Sequence, residues 1–175
     1  MAFARRRVVY SGFSLLLLVT YCLLRSTCAQ ATTFQTLSLS LERLTREADL
    51  IVRGHVIEIK SEQAVDRQSI ATAIKLSVDE QWKGRKVAAV TLRQPGGTVG
   101  EITQGVSGLP HFSLAEDVIV FLEKQEDGSL ATVGGSQGKF VVKTDPHSGK
   151  EIIEDVTGKS QSANDFLTHL KAILK

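Results

Sequence analysis

In the stretch SIATAIKLSVDEQW, residues 69–82, every second residue from position 70 to position 78 is either β-branched or leucine. That period puts every second side chain on the same face of a pleated strand, so the stretch predicts a β-strand with one buried face. A β-sheet is therefore expected at the core of the fold. The predicted face consists of Ile70, Thr72, Ile74, Leu76 and Val78.

Other stretches also predict strands. Residues 117–124, DVIVFLEK, are nearly all apolar, which is typical of a central strand that is buried on both faces. Residues 98–112 are rich in glycine and weakly periodic, so they predict a long loop. The remaining predicted strands are 49–60, 87–94, one or two within 130–143, and a short one at 151–155.

The sequence predicts one helix before this strand-rich region and one after it. Apolar residues three or four apart predict a helix at 39–48, with Ser38 or Ser40 as its N-cap. Ser162 begins a capping box that ends at Asp165, followed by a helix with an apolar stripe. The expected fold class is α+β. Its core is a small antiparallel barrel of five to six strands, with a short N-terminal helix and a C-terminal helix.

The first 31 residues have the order of a signal peptide. Arg5, Arg6 and Arg7 precede an apolar stretch at 8–24, and the small-x-small sequence AQA ends at Ala31. Cleavage is expected between Ala31 and Thr32, which makes the protein secreted or periplasmic. An uncleaved membrane anchor is the alternative, although 8–24 is short for a span. The export route, general secretory or twin-arginine, stays open.

Cleavage would change the composition of the working chain. It removes Cys22 and Cys28, so residues 32–175 would form one globular domain of 144 residues without a disulfide. It also leaves 17 basic residues against 19 acidic ones, a formal net charge of −2. This balance argues against a nucleic-acid partner, because no basic excess remains to neutralise phosphates. No membrane association is expected after cleavage.

A G-x-S-x-G pattern runs from Gly134 to Gly138, with Ser136 at its centre. A nucleophile elbow requires a helix after the serine, but residues 139–143 are typical of a strand. The pattern therefore favours a glycine-rich bend or bulge within a hairpin, and no catalytic residue is assigned. A serine hydrolase that uses Ser136 remains the alternative function.

Cofactor and metal patterns are absent from the sequence. The four histidines lie far apart, without an H-E-x-x-H motif, so neither a metal site nor a cofactor is expected. Gly138-Lys139 lacks the preceding glycine and the following hydroxyl residue of a phosphate-binding loop. The histidines are His55, His111, His147 and His169.

Five residues are candidates for binding a partner. Pro110, His111 and Phe112 end the predicted long loop, and loops on rigid scaffolds often carry binding residues. Pro110 and Phe112 could instead pin the loop to the core. Trp82, the single tryptophan, either contacts a ligand or plugs one end of the barrel. Lys139 follows the glycine-rich bend and completes the set.

Three segments resemble exported bacterial proteins of the netrin-like, tissue-inhibitor-of-metalloproteinases-like kind. They are ADLIVRGHVIEI at 48–59, VDEQWKG at 78–84 and FSLAEDVIVFL at 112–122, with Ala115 where a glycine is common. The resemblance implies an OB-type five-stranded barrel. The animal inhibitors chelate a protease zinc through a disulfide-bonded N-terminal cysteine, and the predicted terminus Thr32-Thr33-Phe34 has none. The expected function is therefore a non-enzymatic exported module that binds a protein, with a secreted protease as one candidate.

Overall fold

A computed structural model describes residues 38–63 and 69–175. The chain divides into two units, Met1–Thr36 and Leu37–Lys175, and the described residues belong to the second. None of the helices among them is long and apolar enough to cross a membrane. The elements are α1 Leu41–Glu47, β1 Leu50–Gln63, β2 Ile70–Lys83, β3 Ala89–Pro95, β4 Gly97–Val99, β5 Ile102–Gln104, β6 Asp117–Lys124, β7 Leu130–Thr132, a 3₁₀ helix Gly135–Gly138, β8 Lys139–Thr144, β9 Glu151–Glu154, β10 Ser160–Ser162 and α2 Ala163–Ile173.

The structure confirms the α+β class and corrects the barrel. In the described part of the chain, an eight-stranded antiparallel sheet has the order β10-β9-β8-β6-β1-β2-β3, and β7 pairs with β6. This sheet is not closed, and β4 and β5 form a separate hairpin. The expectation of five to six strands missed β4, β5 and β10, because three residues are too few to show a two-residue period.

Apolar side chains fill both faces of the central strands. Odd-numbered residues of β6, Ile119 and Phe121, pack toward α2 and its buried Phe166, whereas Val118, Val120 and Leu122 pack against the side chains of β1, β2 and β3. The prediction that 117–124 is buried on both faces is therefore confirmed. On β2, Ile70, Thr72, Ile74 and Leu76 are buried as predicted, and Val78 is half-buried.

The two helices begin differently from one another. Ser40 caps α1, and its Oγ accepts a hydrogen bond from the Arg43 amide at 3.3 Å. Ser162 precedes α2, but its side chain makes no capping hydrogen bond, so the predicted capping box is wrong. Ser162 is instead the last residue of β10, which ties it to the sheet. His169 Nε2 of α2 lies 3.0 Å from Glu42 Oε1 of α1 and links the two helices.

Residues 98–112, predicted as a loop, contain the β4–β5 hairpin before they become irregular. Pro110 and Phe112 are buried, and Phe112 belongs to the core cluster between β1, β2 and β3. The interpretation that these two residues pin the loop to the core is confirmed. His111 lies between them and is exposed. The fold thus presents the exposed side chain of His111 on a segment that Pro110 and Phe112 attach to the core.

Candidate binding site around Lys139

Lys139 is the first residue of β8, and only 8% of its surface is exposed. Lysine is almost never buried unless it is paired, because its ammonium group loses hydration. Here Nζ donates hydrogen bonds to Glu116 Oε2, at 2.8 Å, and to the carbonyl oxygen of His111. It also lies 4.8 Å from the ring centroid of Phe112, a cation–π distance. One ammonium group therefore ties β8 to the loop at 111–116.

Glu116 is oriented by a tight turn at the start of β6. The Ser113 amide donates to Glu116 Oε2 at 3.1 Å, and the Glu116 amide donates to the Ser113 carbonyl at 3.2 Å. Ala115 completes this turn with φ of 62°, a left-handed conformation that is uncommon for a residue with a Cβ. The turn is fixed to β1, since Ala115 donates to the Val56 carbonyl at 2.8 Å.

The beginning of the same loop is held by the 3₁₀ helix. The Ser136 amide donates to the Gly108 carbonyl at 2.8 Å. Gly135 lies so close that a Cβ on it would overlap that carbonyl oxygen, and its φ is 62°. Glycine is required here because both the close approach and the positive φ disfavour a side chain. The predicted glycine-rich bend is thus a 3₁₀ helix that supports the loop.

A pocket of about 280 Å³ opens between this loop and the turn after β9. Pro110, His111 and Lys139 line it, and Phe112 lies against the Lys139 ammonium. Four of the five candidate residues are therefore together. Trp82 is separate from them: it is half-buried and packs against the core cluster beneath the helices. The pocket is lined by Leu109, Pro110, His111, Ser136, Lys139, Val141, Glu154, Asp155 and Val156.

Carboxylates set the charge of one wall of the pocket. Glu154 pairs with Lys143, with Oε1 to Nζ at 2.6 Å. Asp155 Oδ1 accepts hydrogen bonds from the Thr157 hydroxyl at 2.6 Å, from the Thr157 amide at 2.8 Å and from the Lys159 amide at 3.1 Å. Burial raises the pKa of Asp155, but these hydrogen bonds outweigh it and lower the pKa overall. Asp155 is therefore negatively charged at neutral pH.

The environment of Ser136 differs from a nucleophile elbow. Strand β8 follows the 3₁₀ helix directly, as the sequence indicated, whereas an elbow requires a long helix there. Ser136 shares the pocket with His111. Among the described residues, however, no hydrogen bond joins the Ser136 side chain to a histidine, lysine or carboxylate.

The other histidines lie apart from the pocket and from one another. His55 Nδ1 is 2.7 Å from Asp79 Oδ2, and His147 Nδ1 is 3.5 Å from Asp145 Oδ1. His169 contacts Glu42, as described above. Within residues 38–63 and 69–175, no group of three or more histidine, cysteine or acidic side chains could hold a metal ion.

Sequence reasoning missed two parts of this site. Glu116 lies 23 positions from Lys139, and no local pattern joins them. The wall at 154–156 comes from the end of a short strand and a turn, whose composition is ordinary for a surface. Only the burial of an apparently ordinary strand lysine could have indicated a partner, and burial was not readable from the sequence.

No protein-family model, curated protein or solved structure matches this chain. The resemblance to netrin-like proteins thus depends on the three quoted segments alone. The predicted signal peptide at 1–31, its cleavage pair Ala31 and Thr32, and both cysteines lie outside the described residues.

Proposed function

We propose that this protein is an exported, non-enzymatic binding module that docks on a protein partner through the segment 109–112 and the pocket beside it. The observation that carries the proposal is the buried Lys139, which fixes the loop through Glu116 and the His111 carbonyl. A loop that is already ordered loses little conformational entropy when it binds, which favours affinity. The exposed His111 is thereby presented on a rigid support.

The nature of the pocket supports a protein ligand. Small-molecule and cofactor pockets usually measure about 300–1,000 Å³ and enclose most of the ligand. This pocket, at about 280 Å³, lies just below that range and accommodates a side chain of a partner. The resemblance to netrin-like proteins adds a secreted protease as a candidate partner. The signal-peptide order at 1–31 supports an encounter outside the cytoplasm.

Site-specific photo-crosslinking tests this proposal. The photoreactive amino acid p-benzoylphenylalanine replaces His111 in the producing cells, and the adducts are identified by mass spectrometry. The matched control position is Thr98, an exposed residue of β4. The proposal expects one discrete protein adduct from position 111 and none from position 98. Equal adducts from both positions, or none from 111, would contradict it.

A serine hydrolase is the second candidate, favoured by one observation: Ser136 and His111 line the same pocket. A fluorophosphonate probe forms a covalent bond with an activated serine, so it separates the two functions directly. The binding-module proposal expects no labelling of the wild-type protein. Labelling that disappears in Ser136→Ala would instead establish the hydrolase.

A further inference from the structure

The rim of the pocket beside Lys139 carries apolar side chains that the fold leaves partly exposed. Val156 stands in the turn after β9, where the Gly158 amide donates to the Asp155 carbonyl at 3.0 Å, and 53% of its surface is exposed. Leu109 and Val141 line the same pocket and are only half-buried. Covering apolar surface of this kind with a further apolar group is energetically favourable.

The cation in the pocket is already satisfied. Of the three donors of the Lys139 ammonium, two reach Glu116 and the His111 carbonyl, and the Phe112 ring lies 4.8 Å away. Because Glu116 neutralises the ammonium, Lys139 offers little attraction to an anionic ligand. An anion would also approach the carboxylates of the opposite wall.

That opposite wall carries the charge that remains. Glu154 is paired with Lys143, so its charge is compensated. Asp155 accepts hydrogen bonds from the Thr157 and Lys159 amides. Lys159 also attracts it electrostatically, but within the described part of the chain no cationic side chain forms an ion pair with Asp155. Among the charged residues that line the pocket, Lys139 is paired with Glu116 and Glu154 with Lys143, whereas Asp155 is compensated only by the longer-range attraction of Lys159.

We infer that this pocket receives an apolar side chain from an extended protein segment that has a basic residue next to it. The apolar side chain would cover Leu109, Val141 and Val156, while the basic residue would lie beside Asp155. Charge complementarity selects such a segment over an acidic one. This inference depends on the proposed binding function and specifies the chemistry of the partner.

Fluorescence anisotropy with short peptides tests the inference on the purified protein. The probe is a fluorescein-labelled peptide of sequence Gly-Lys-Leu-Lys-Gly. Matched peptides replace both lysines by glutamate, or the leucine by serine. We expect binding of the first peptide alone, weakened at high salt because screening reduces attraction between exposed charges. Equal binding of the glutamate peptide, or no binding of the lysine peptide, would overturn the inference.

Two matched variants locate the binding. Val156→Ser should weaken the lysine peptide about fivefold, because it removes apolar contact area at the rim. Ile57→Ser alters another exposed apolar residue, which lies on β1 outside this pocket, and should leave binding unchanged. Thermal melts of both variants should match the wild type. If the probe at position 111 crosslinks to a partner while the protein does not prefer the lysine peptide, the inferred ligand chemistry is wrong and the proposed binding function stands.

Discussion

Replacement of Lys139 by methionine should destabilise the protein strongly. Among residues 38–63 and 69–175, Lys139 is the only cation that contacts Glu116, whose side chain is 20% exposed, so the change leaves that carboxylate poorly solvated. Breaking a fully buried ion pair costs about 3–5 kcal/mol. Because Glu116 retains some contact with water, we expect a loss of about 2–4 kcal/mol in the free energy of unfolding for Lys139→Met.

A double-mutant cycle measured by urea denaturation isolates the pair itself. Glu116→Gln keeps an oxygen for the Ser113 amide but removes the charge, and it should leave the buried ammonium of Lys139 unpaired. The double variant should therefore lose less stability than the sum of the single variants, by about 1–3 kcal/mol. Additive losses, or a loss below about 1 kcal/mol for Lys139→Met, would refute the reasoning that the pair holds the loop.

Three further changes should also alter stability. Ala115→Gly should raise the free energy of unfolding by about 0.5–1 kcal/mol in urea denaturation, because glycine adopts its φ of 62° without strain. Gly138→Val should lower it by about 1–3 kcal/mol, since a Cβ there would overlap the Val133 carbonyl. A hydrogen bond from Arg53 holds the pKa of Glu151 below its ordinary value of 4.5, so this stabilisation is complete above that pH and disappears as the pH falls through the folded-state pKa. Glu151→Gln should therefore flatten the decline of the melting temperature in acid.

The opposite results would each be informative. A destabilised Ala115→Gly would mean that the turn before β6 tolerates a Cβ without strain. A neutral Gly138→Val would mean that the chain can separate from Val133 at no cost. An unchanged acid decline in Glu151→Gln would show that Arg53 contributes its stabilisation through other carboxylates, of which Asp117 is the nearest, at 2.7 Å.

Strands with a long repeating pattern were predictable from the sequence. The period of two in β2 and the apolar run in β6 identified both strands, because burial on one or two faces imposes these patterns directly. The short strands β4, β5 and β10 were not predictable. Their three residues are stabilised by pairing partners, which a local pattern does not reveal.

The loop of the candidate site was predictable from the sequence, but the ion pair that holds this loop was not. Pro110 and Phe112 suggested a pinned segment because proline and an aromatic side chain restrict a glycine-rich loop. The Lys139–Glu116 pair depends on strand pairing between β6 and β8, which brings distant residues together. For Gly138, the sequence suggested either a positive φ or a close approach. Only the close approach occurs, because the 3₁₀ helix packs its backbone against Val133.

Crosslinking from position 111 tests the central claim most directly, because it asks whether the loop held by Lys139 contacts a protein partner. The account predicts one discrete protein adduct from p-benzoylphenylalanine at His111, and none from the same probe at Thr98. Adducts of equal yield from both positions, or an adduct from Thr98 alone, would contradict the claim that this loop is the binding surface.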